Sequence, residues 1–187
     1  LNINQNLPGA RAFFLNGSLE NLEINFNGYD HQLATVPNFP IDKKNLTGCL
    51  TMVNLDLKGV VINSNFSSCE DSINLINVKG DLKKINISNS FMDALDIDFS
   101  SVSINQININ NAMNDCVDLS FGKYKIKNIS ANQCGDKGLS VGEQSDLSLE
   151  NLVAYNSSIG VASKDSSLTN IKKASLRNSN TCLSAYN

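Results

Sequence analysis

The sequence predicts an all-β protein, a right-handed parallel β-helix (solenoid) of about 7–8 coils with a period of about 22 residues. Apolar residues recur at that interval, they alternate with polar residues inside each repeat, and Asn, Ser, Gly or Asp stands in the turns. A fixed internal period of this length is typical of a repeat fold. The first apolar column contains Ile73, Leu95, Val117, Leu139, Val161 and Leu183.

Each repeat is expected to form short strands. Leu95, Asp96 and Ile97 alternate apolar with polar, as in a strand with one buried face, whereas a helix would space apolar residues three and four apart. Strands this short cannot bury an apolar face alone, so successive repeats should stack about 4.8 Å apart around a continuous core. Two further columns support this: Leu82, Ile104, Ile126, Leu149 and Ile171, and Ile85, Ile107, Ile129, Leu152 and Ala174.

The turns and the early repeats extend the pattern. Asparagine tolerates left-handed backbone geometry and its amide can bond along a stack, so a turn ladder is predicted. Earlier copies of the repeat are predicted at 57–62, matched onto 82–87, and at 19–24. A left-handed β-helix uses six-residue repeats, so the longer coil and uneven turns favour the right-handed form. The ladder asparagines are Asn89, Asn111, Asn156 and Asn178.

The chain is predicted to be one β-helix domain, 1–187, with irregular coils in 1–56 and regular coils in 57–187. An inserted loop is expected at about 28–48, containing His31, Lys43 and Lys44; it either lines a binding groove or is a surface loop over a sheet edge. The last coil stops without an evident cap. We therefore expect a fragment of a longer protein, or contact of that coil with a flanking domain or a partner.

Composition narrows the function classes. The net charge is −3 and the sequence has no basic stripe, which argues against nucleic-acid binding. No apolar run approaches 18 residues, so no membrane span is expected. The five cysteines cannot all pair within the chain and match no zinc spacing, and buried thiols are the favoured interpretation.

Runs within the repeats carry a family resemblance. The segments 93–97, 115–119 and 135–141 resemble the parallel β-helix repeats of the pectate-lyase-like superfamily, and the resemblance covers 57–187 well and 1–56 loosely. It implies a secreted or cell-surface location. The superfamily includes polysaccharide lyases, hydrolases, epimerases and tailspikes, but the catalytic signatures of these families are absent here, so no catalytic residue is carried over.

Acidic residues cluster on consecutive repeats and form the candidate site. The strand-opening position and the outward strand position are both acidic on neighbouring coils, which should place carboxylates about 5 Å apart. Carboxylates that close repel unless a cation or a proton neutralises them. The candidates are Asp71, Asp93, Asp96, Asp98, Asp115 and Asp118, with Lys137 following on the next coil.

Three interpretations of this cluster stay open. Asp93, Asp96, Asp115 and Asp118 could bind Ca²⁺, which takes several carboxylate oxygens; no other cofactor is predicted. Alternatively Asp96, Asp118 and Asp98 could act as acid and base on a glycoside, or Lys137 could be the base of a lyase. The third interpretation is that these are surface charges, or turn residues that accept backbone N–H groups.

The sequence favours a non-catalytic module that presents a polar face to a polysaccharide or to another protein. The alternatives are a polysaccharide lyase or hydrolase that uses the acidic residues, and a structural stalk or scaffold segment. Phe99 and Phe121 are 22 residues apart, and each lies an even number of residues after Leu95 or Val117. Strand alternation therefore predicts that both rings point inward and form a core stack. Phe91 and Met113 are predicted to be a similar core pair.

Overall fold

The computed structural model describes residues 1–7, 9–29 and 46–187, and these form an all-β parallel solenoid of about 8 turns, with no helix among them. The fold class and the period of about 22 residues are therefore confirmed. All the strands among these described residues belong to a single sheet. They are β1 (Asn2–Asn4), β2 (Ala12–Glu20), β3 (Glu23–Asn27), β4 (Gly48–Ser67), β5 (Asp71–Ile76), β6 (Lys79–Ser90), β7 (Asp93–Asp98), β8 (Ser101–Ala112), β9 (Val117–Ser120), β10 (Lys123–Gly142), β11 (Asp146–Lys164) and β12 (Leu168–Tyr186).

The predicted apolar columns are the core of the solenoid. Ile73 pairs with Leu95 and Leu95 with Val117, and farther along Leu139 pairs with Val161. The side chains of Leu95 and Val117 are 0% exposed, so they point inward as the alternation predicted. The columns through Leu82 and Ile85 are likewise in register. Burial ends at the last coil, where Leu183 is 67% exposed.

One predicted match in the early repeats is wrong. Leu57 pairs with Gly80, and Val60 pairs with Leu82, because the register shifts around Gly59, whose φ is +63°. The earlier copy is confirmed, since Leu19 pairs with Leu57. Most of the predicted loop at 28–48, including His31, Lys43 and Lys44, lies outside the described residues.

Two columns of left-handed residues turn the chain at the corners of each coil. The predicted Asn ladder forms one of them: Asn111 donates from Nδ2 to Asn89 at 3.0 Å, and Asn178 donates to Asn156 at 3.1 Å. Asparagine suits this position because its short polar side chain tolerates positive φ. The other left-handed column contains Asn16, Asn54, Asn77, Phe99, Phe121, Glu143 and Asp165.

The prediction of buried thiols is wrong for the cysteines. Cys49 is bonded to Cys69 and Cys116 to Cys134, and each bond ties one coil to the next. Cys182 is the free cysteine of the described residues, and it is exposed on the last coil. In the same described part of the chain, no helix has the length and apolar character to cross a membrane.

Candidate functional site

The acidic residues gather where β5, β7 and β9 run side by side. Asp71 pairs with Asp93, and Asp96 pairs with Asp118, so the predicted neighbours are indeed in register on adjacent coils. We call this region the acidic corner and define it by Asp71, Asp93, Asp96, Asp98, Asp118 and Glu143. Parallel strands lie about 4.8 Å apart, which leaves these carboxylates little room to avoid one another.

Asp96 and Asp98 form the centre of the acidic corner. The Asn74 amide donates to Asp96 at 2.9 Å and to Asp98 at 3.3 Å, which bridges the two carboxyls. Burial, and next the charge of Asp71, raises the pKa of Asp96 from 3.8 to about 10, so Asp96 keeps its proton at neutral pH. Burial also raises the pKa of Asp98, and hydrogen bonds from Asn74 and Asp96 oppose that rise. Asp96 is therefore the proton donor in its hydrogen bond to Asp98.

Asp118 and Glu143 continue the acidic corner on the next two coils. Burial raises the pKa of Asp118, although the charge of Lys164 opposes the rise. Asp118 Oδ1 is buried without a hydrogen-bond partner, which is a costly state for a carboxylate oxygen. The Ser120 hydroxyl donates to Glu143 Oε2. Asp118 therefore keeps an unsatisfied oxygen below the surface, and one Glu143 oxygen is engaged by Ser120.

Asp71 lies at the base of the corner and is 2% exposed. Its Oδ2 has no hydrogen-bond partner. Burial raises the pKa of Asp71 to about 8, partly opposed by a hydrogen bond from Thr47. The carboxyl is consequently close to neutral at pH 7, which lowers the cost of burying it.

Asp93 and Asp115 occupy the strand-opening position, where they have a structural role. Asp93 accepts the Asp115 N–H at 2.7 Å, and Asp115 accepts the Lys137 N–H at 2.9 Å, so each carboxylate caps the backbone of the next coil. Asp93 also accepts the Asn114 amide at 2.7 Å. These bonds match the turn interpretation of the sequence.

Lys137 is an ion-pair partner in this geometry. Its Nζ lies 3.2 Å from Asp115 Oδ2 and also pairs with Asp136. Burial acts to lower the pKa of Lys137, but the hydrogen bond to Asp136 and the charge of Asp115 outweigh burial and hold the pKa above its usual value. A lyase base needs the opposite shift, so this geometry does not favour that role.

Phe99 and Phe121 lie on the surface beside the acidic corner, so the prediction of a core stack is wrong. They are 57% and 48% exposed, and their rings stack with centroids 4.8 Å apart and planes 2° apart. Both residues have left-handed backbone, with φ of 50° and 49°. A bulky residue there costs about 1–2 kcal/mol relative to the right-handed region. The second predicted core pair also fails, since Met113 is 60% exposed.

Tyr124 supports the corner from inside. Its ring is 1% exposed, and its hydroxyl lies 2.8 Å from the Ile97 carbonyl, to which it donates, and 2.7 Å from the Ser120 carbonyl. Those carbonyls belong to the chain segments that lead into Phe99 and Phe121. Tyr124 is therefore a positioning residue for the aromatic pair.

Sequence reasoning missed Asn74, Glu143, Tyr124 and the exposure of the phenylalanines. A signal was present for the last of these. Phe99 and Phe121 continue the 22-residue spacing from Asn77, and asparagine at a repeat boundary indicates a turn. Reading that column as a turn would have predicted exposed rings.

The described residues provide no set of ligands that would support the calcium interpretation. Among residues 1–7, 9–29 and 46–187, no group of three or more His, Cys, Asp or Glu side chains is arranged to hold a metal ion. Fold and site together define a parallel β-solenoid with an acidic corner edged by an aromatic pair. Compared with known proteins, the chain matches no family model, no curated protein and no solved structure.

Proposed function

We propose that this solenoid is a carbohydrate-binding module whose binding surface is the Phe99–Phe121 pair and the adjoining acidic corner. The observation that carries the proposal is the exposed, parallel stack of two rings at left-handed positions. Large apolar side chains on the surface and positive φ both work against stability. Their combination beside a cluster of polar groups supports a ligand-binding role.

The chemistry of this surface suits a sugar. Because the two rings stack on each other, their outer faces and edges remain for a ligand, and this apolar surface can contact the C–H groups of a pyranose. Carboxyl oxygens accept hydrogen bonds, and those of Asp98 and Glu143 can accept from hydroxyl groups at the edge of the same sugar. A few polar groups around an apolar contact are the usual composition of a small-molecule site.

The charge of the acidic corner indicates which class of sugar would bind there. Six acidic side chains form the corner. Asp96 and most of Asp71 are neutral at pH 7, so the negative charge comes from the remaining carboxylates, and Lys164 offsets part of the charge near Asp118. A uronate polymer would be repelled, whereas an amino-sugar polymer would bring ammonium groups that compensate the carboxylates. We therefore propose an amino-sugar polysaccharide as the preferred ligand.

A secreted or cell-surface location is part of the proposal. Disulfides persist in oxidising compartments, and the Cys49–Cys69 and Cys116–Cys134 bonds support such a location. The resemblance to pectate-lyase-like repeats, with their right-handed coils, supports the same assignment and the link to polysaccharides.

The test is binding of glucosamine oligomers and of polygalacturonate by isothermal titration at pH 7. Wild type should bind the glucosamine hexamer and not polygalacturonate. The double variant Phe99→Asn and Phe121→Asn should weaken binding at least tenfold, which corresponds to about 1.4 kcal/mol. The control is Phe13→Asn, which removes a ring that is 41% exposed on β2.

Three results would contradict the proposal. They are equal affinity in the double variant, equal loss in the Phe13→Asn control, and failure of wild type to bind the hexamer. Folding of each variant is checked by circular dichroism. Asparagine already occupies the same left-handed column at Asn54 and Asn77, so the double variant should fold.

Glycoside hydrolysis is a second candidate function, favoured by the protonated state of Asp96. In a retaining mechanism Asp96 would protonate the leaving oxygen while Asp118 attacks the anomeric carbon, and water would later release the sugar. The coil spacing of about 4.8 Å is close to the carboxyl separation of about 5–5.5 Å in retaining enzymes.

Reducing-end release from the glucosamine hexamer tests this candidate. Turnover should disappear in Asp96→Asn and in Asp118→Asn, and persist in Asp81→Asn, which changes an exposed carboxylate on another strand. Absence of turnover in wild type, together with retained hexamer binding, would leave the module a binder alone.

A further inference from the structure

A second surface lies on another segment of each coil. Here β3, β4, β6, β8 and β10 present asparagines at matching outward positions, which we call the amide groove. Its volume is about 510 Å³. The lining residues used below are Asn27, Asn63, Asn86, Asn108, Asn110 and Tyr155.

One column of the groove is a continuous chain of amide hydrogen bonds. Asn63 donates to Asn25 at 2.7 Å, Asn86 to Asn63 at 2.6 Å, and Asn108 to Asn86 at 2.8 Å. The chain starts at Asn2, which accepts from Asn25 at 3.0 Å. The side chains are therefore fixed in one orientation from coil to coil.

A second column runs parallel to the first, two residues farther along each strand. Asn27 donates to Asn4 at 3.0 Å, and Asn132 donates to Asn110 at 2.6 Å. Asn27 and Asn110 are exposed. The buried residues between the columns point inward, so the two columns of amides form the walls of the groove.

The amides keep hydrogen-bonding capacity for a ligand. Each Nδ2 has two N–H groups and each Oδ1 has two lone pairs, and the ladder uses at most one of each. Asn63 also donates to Glu23 Oε1 at 3.1 Å and Asn108 Oδ1 accepts from Gln106 at 2.7 Å, so the capacity for a ligand lies mainly at the other amides. The groove therefore offers donors and acceptors repeated at the coil spacing of about 4.8 Å. A ligand with a regular repeat of hydroxyl groups matches this pattern along several coils.

The groove is free of charge although 18% of the chain is charged. No Asp, Glu, Lys or Arg is among the described residues that line it. An ionic ligand would have no counter-charge there, and an apolar ligand would leave the amides unsatisfied, which is costly. Tyr155, at one end, adds an aromatic ring for a sugar face.

We propose that the amide groove binds an uncharged polysaccharide whose chain runs along the solenoid axis. The ligand class follows from the neutral lining, and the direction follows from the translation of the amides along the axis. This site is separate from the corner of Phe99 and Phe121, and it does not depend on the function proposed for that corner.

Affinity electrophoresis in gels that contain hydroxyethyl cellulose, galactomannan, β-1,3-glucan or dextran tests the proposal. At least one of these neutral polymers should retard wild type, and the double variant Asn27→Ala and Asn110→Ala should lose at least tenfold in affinity. The matched control is Asn105→Ala with Asn170→Ala, because these are exposed strand asparagines outside the groove. Tyr155→Ala, which leaves both amide columns intact, should also weaken retardation.

Oligomers of the retarding polymer test the direction of binding. Affinity should rise from the disaccharide to the hexasaccharide, since a longer chain meets more coils. The proposal is overturned if none of the four polymers retards wild type, if the groove variants keep full affinity, or if affinity is independent of length. The Phe99→Asn and Phe121→Asn double variant should retain neutral-polymer binding, so the groove and the acidic corner fail or succeed separately.

Discussion

Replacing Lys137 by methionine should destabilise the solenoid through Asp115. Asp115 is 3% exposed, and Lys137 Nζ lies 3.2 Å from its Oδ2. Removing one partner of a buried ion pair costs about 3–5 kcal/mol, because the other charge stays buried without compensation. Asp115 can escape by taking a proton. Burial raises its pKa above the ordinary 3.8, so this costs less than the roughly 4 kcal/mol that an ordinary carboxyl needs at pH 7. We expect a loss of about 3–4 kcal/mol, or about 10 °C in Tm.

The assay is urea unfolding at pH 7 and pH 4, followed by circular dichroism, on Lys137→Met, Asp115→Asn and the double variant. Asp115→Asn keeps an oxygen for the Lys137 N–H, a bond of 2.9 Å, so it should be milder than Lys137→Met. The double variant should be more stable than Lys137→Met alone. The penalty of Lys137→Met should shrink at pH 4, where Asp115 takes its proton easily. A penalty independent of pH, or additive effects in the double variant, would refute the reasoning.

Other perturbations have equally definite outcomes. Burial raises the pKa of Asp93 to about 6, of Asp71 to about 8 and of Asp96 to about 10, so each holds its proton to a higher pH in the folded state than in the unfolded state. The free energy of unfolding should therefore fall as pH rises from 3.8 through 8. Urea midpoints at pH 4, 6 and 8 measure this fall, and Asp71→Asn should make it smaller. Leu95→Ala, at a site with 0% exposure, should cost about 2–5 kcal/mol, seen as a lower urea midpoint. Tyr124→Phe should cost about 1 kcal/mol and weaken hexamer binding at the aromatic pair, while neutral-polymer binding in the amide groove stays unchanged.

The core of the fold could be predicted because a single hydrophobic period controls it. Leu95 and Val117 are in one column since stacking requires identical side-chain directions on neighbouring coils. The pairing of the cysteines could not be predicted from the repeat because of their spacing. Cys49 and Cys69 are 20 residues apart, and Cys116 and Cys134 are 18 apart, so neither pair shares the 22-residue column that periodicity makes visible.

The candidate site could be predicted only in part. The register that joins Asp96 to Asp118 followed from the same period. The exposure of the aromatic pair did not follow from that period, because the prediction assumed that strand alternation continues through residue 99. The strand ends at Asp98, and positive φ at Phe99 turns the chain, so the ring points outward instead of into the core. A turn residue reverses the side-chain direction that strand alternation would give it.

The left-handed column contains both asparagine and phenylalanine, so the two residue types can be compared at one position of the coil. Asn54 and Asn77 occupy it on the coils before Phe99 and Phe121, under the same backbone geometry. Two phenylalanines there cost about 1–2 kcal/mol each, and a ring stack returns about 0.5–1.5 kcal/mol. The balance is unfavourable before the exposure of both rings is counted, while asparagine was compatible with the fold one coil earlier. Folding alone does not require aromatic rings at this position, and this is the reason that the proposed binding role is assigned to Phe99 and Phe121.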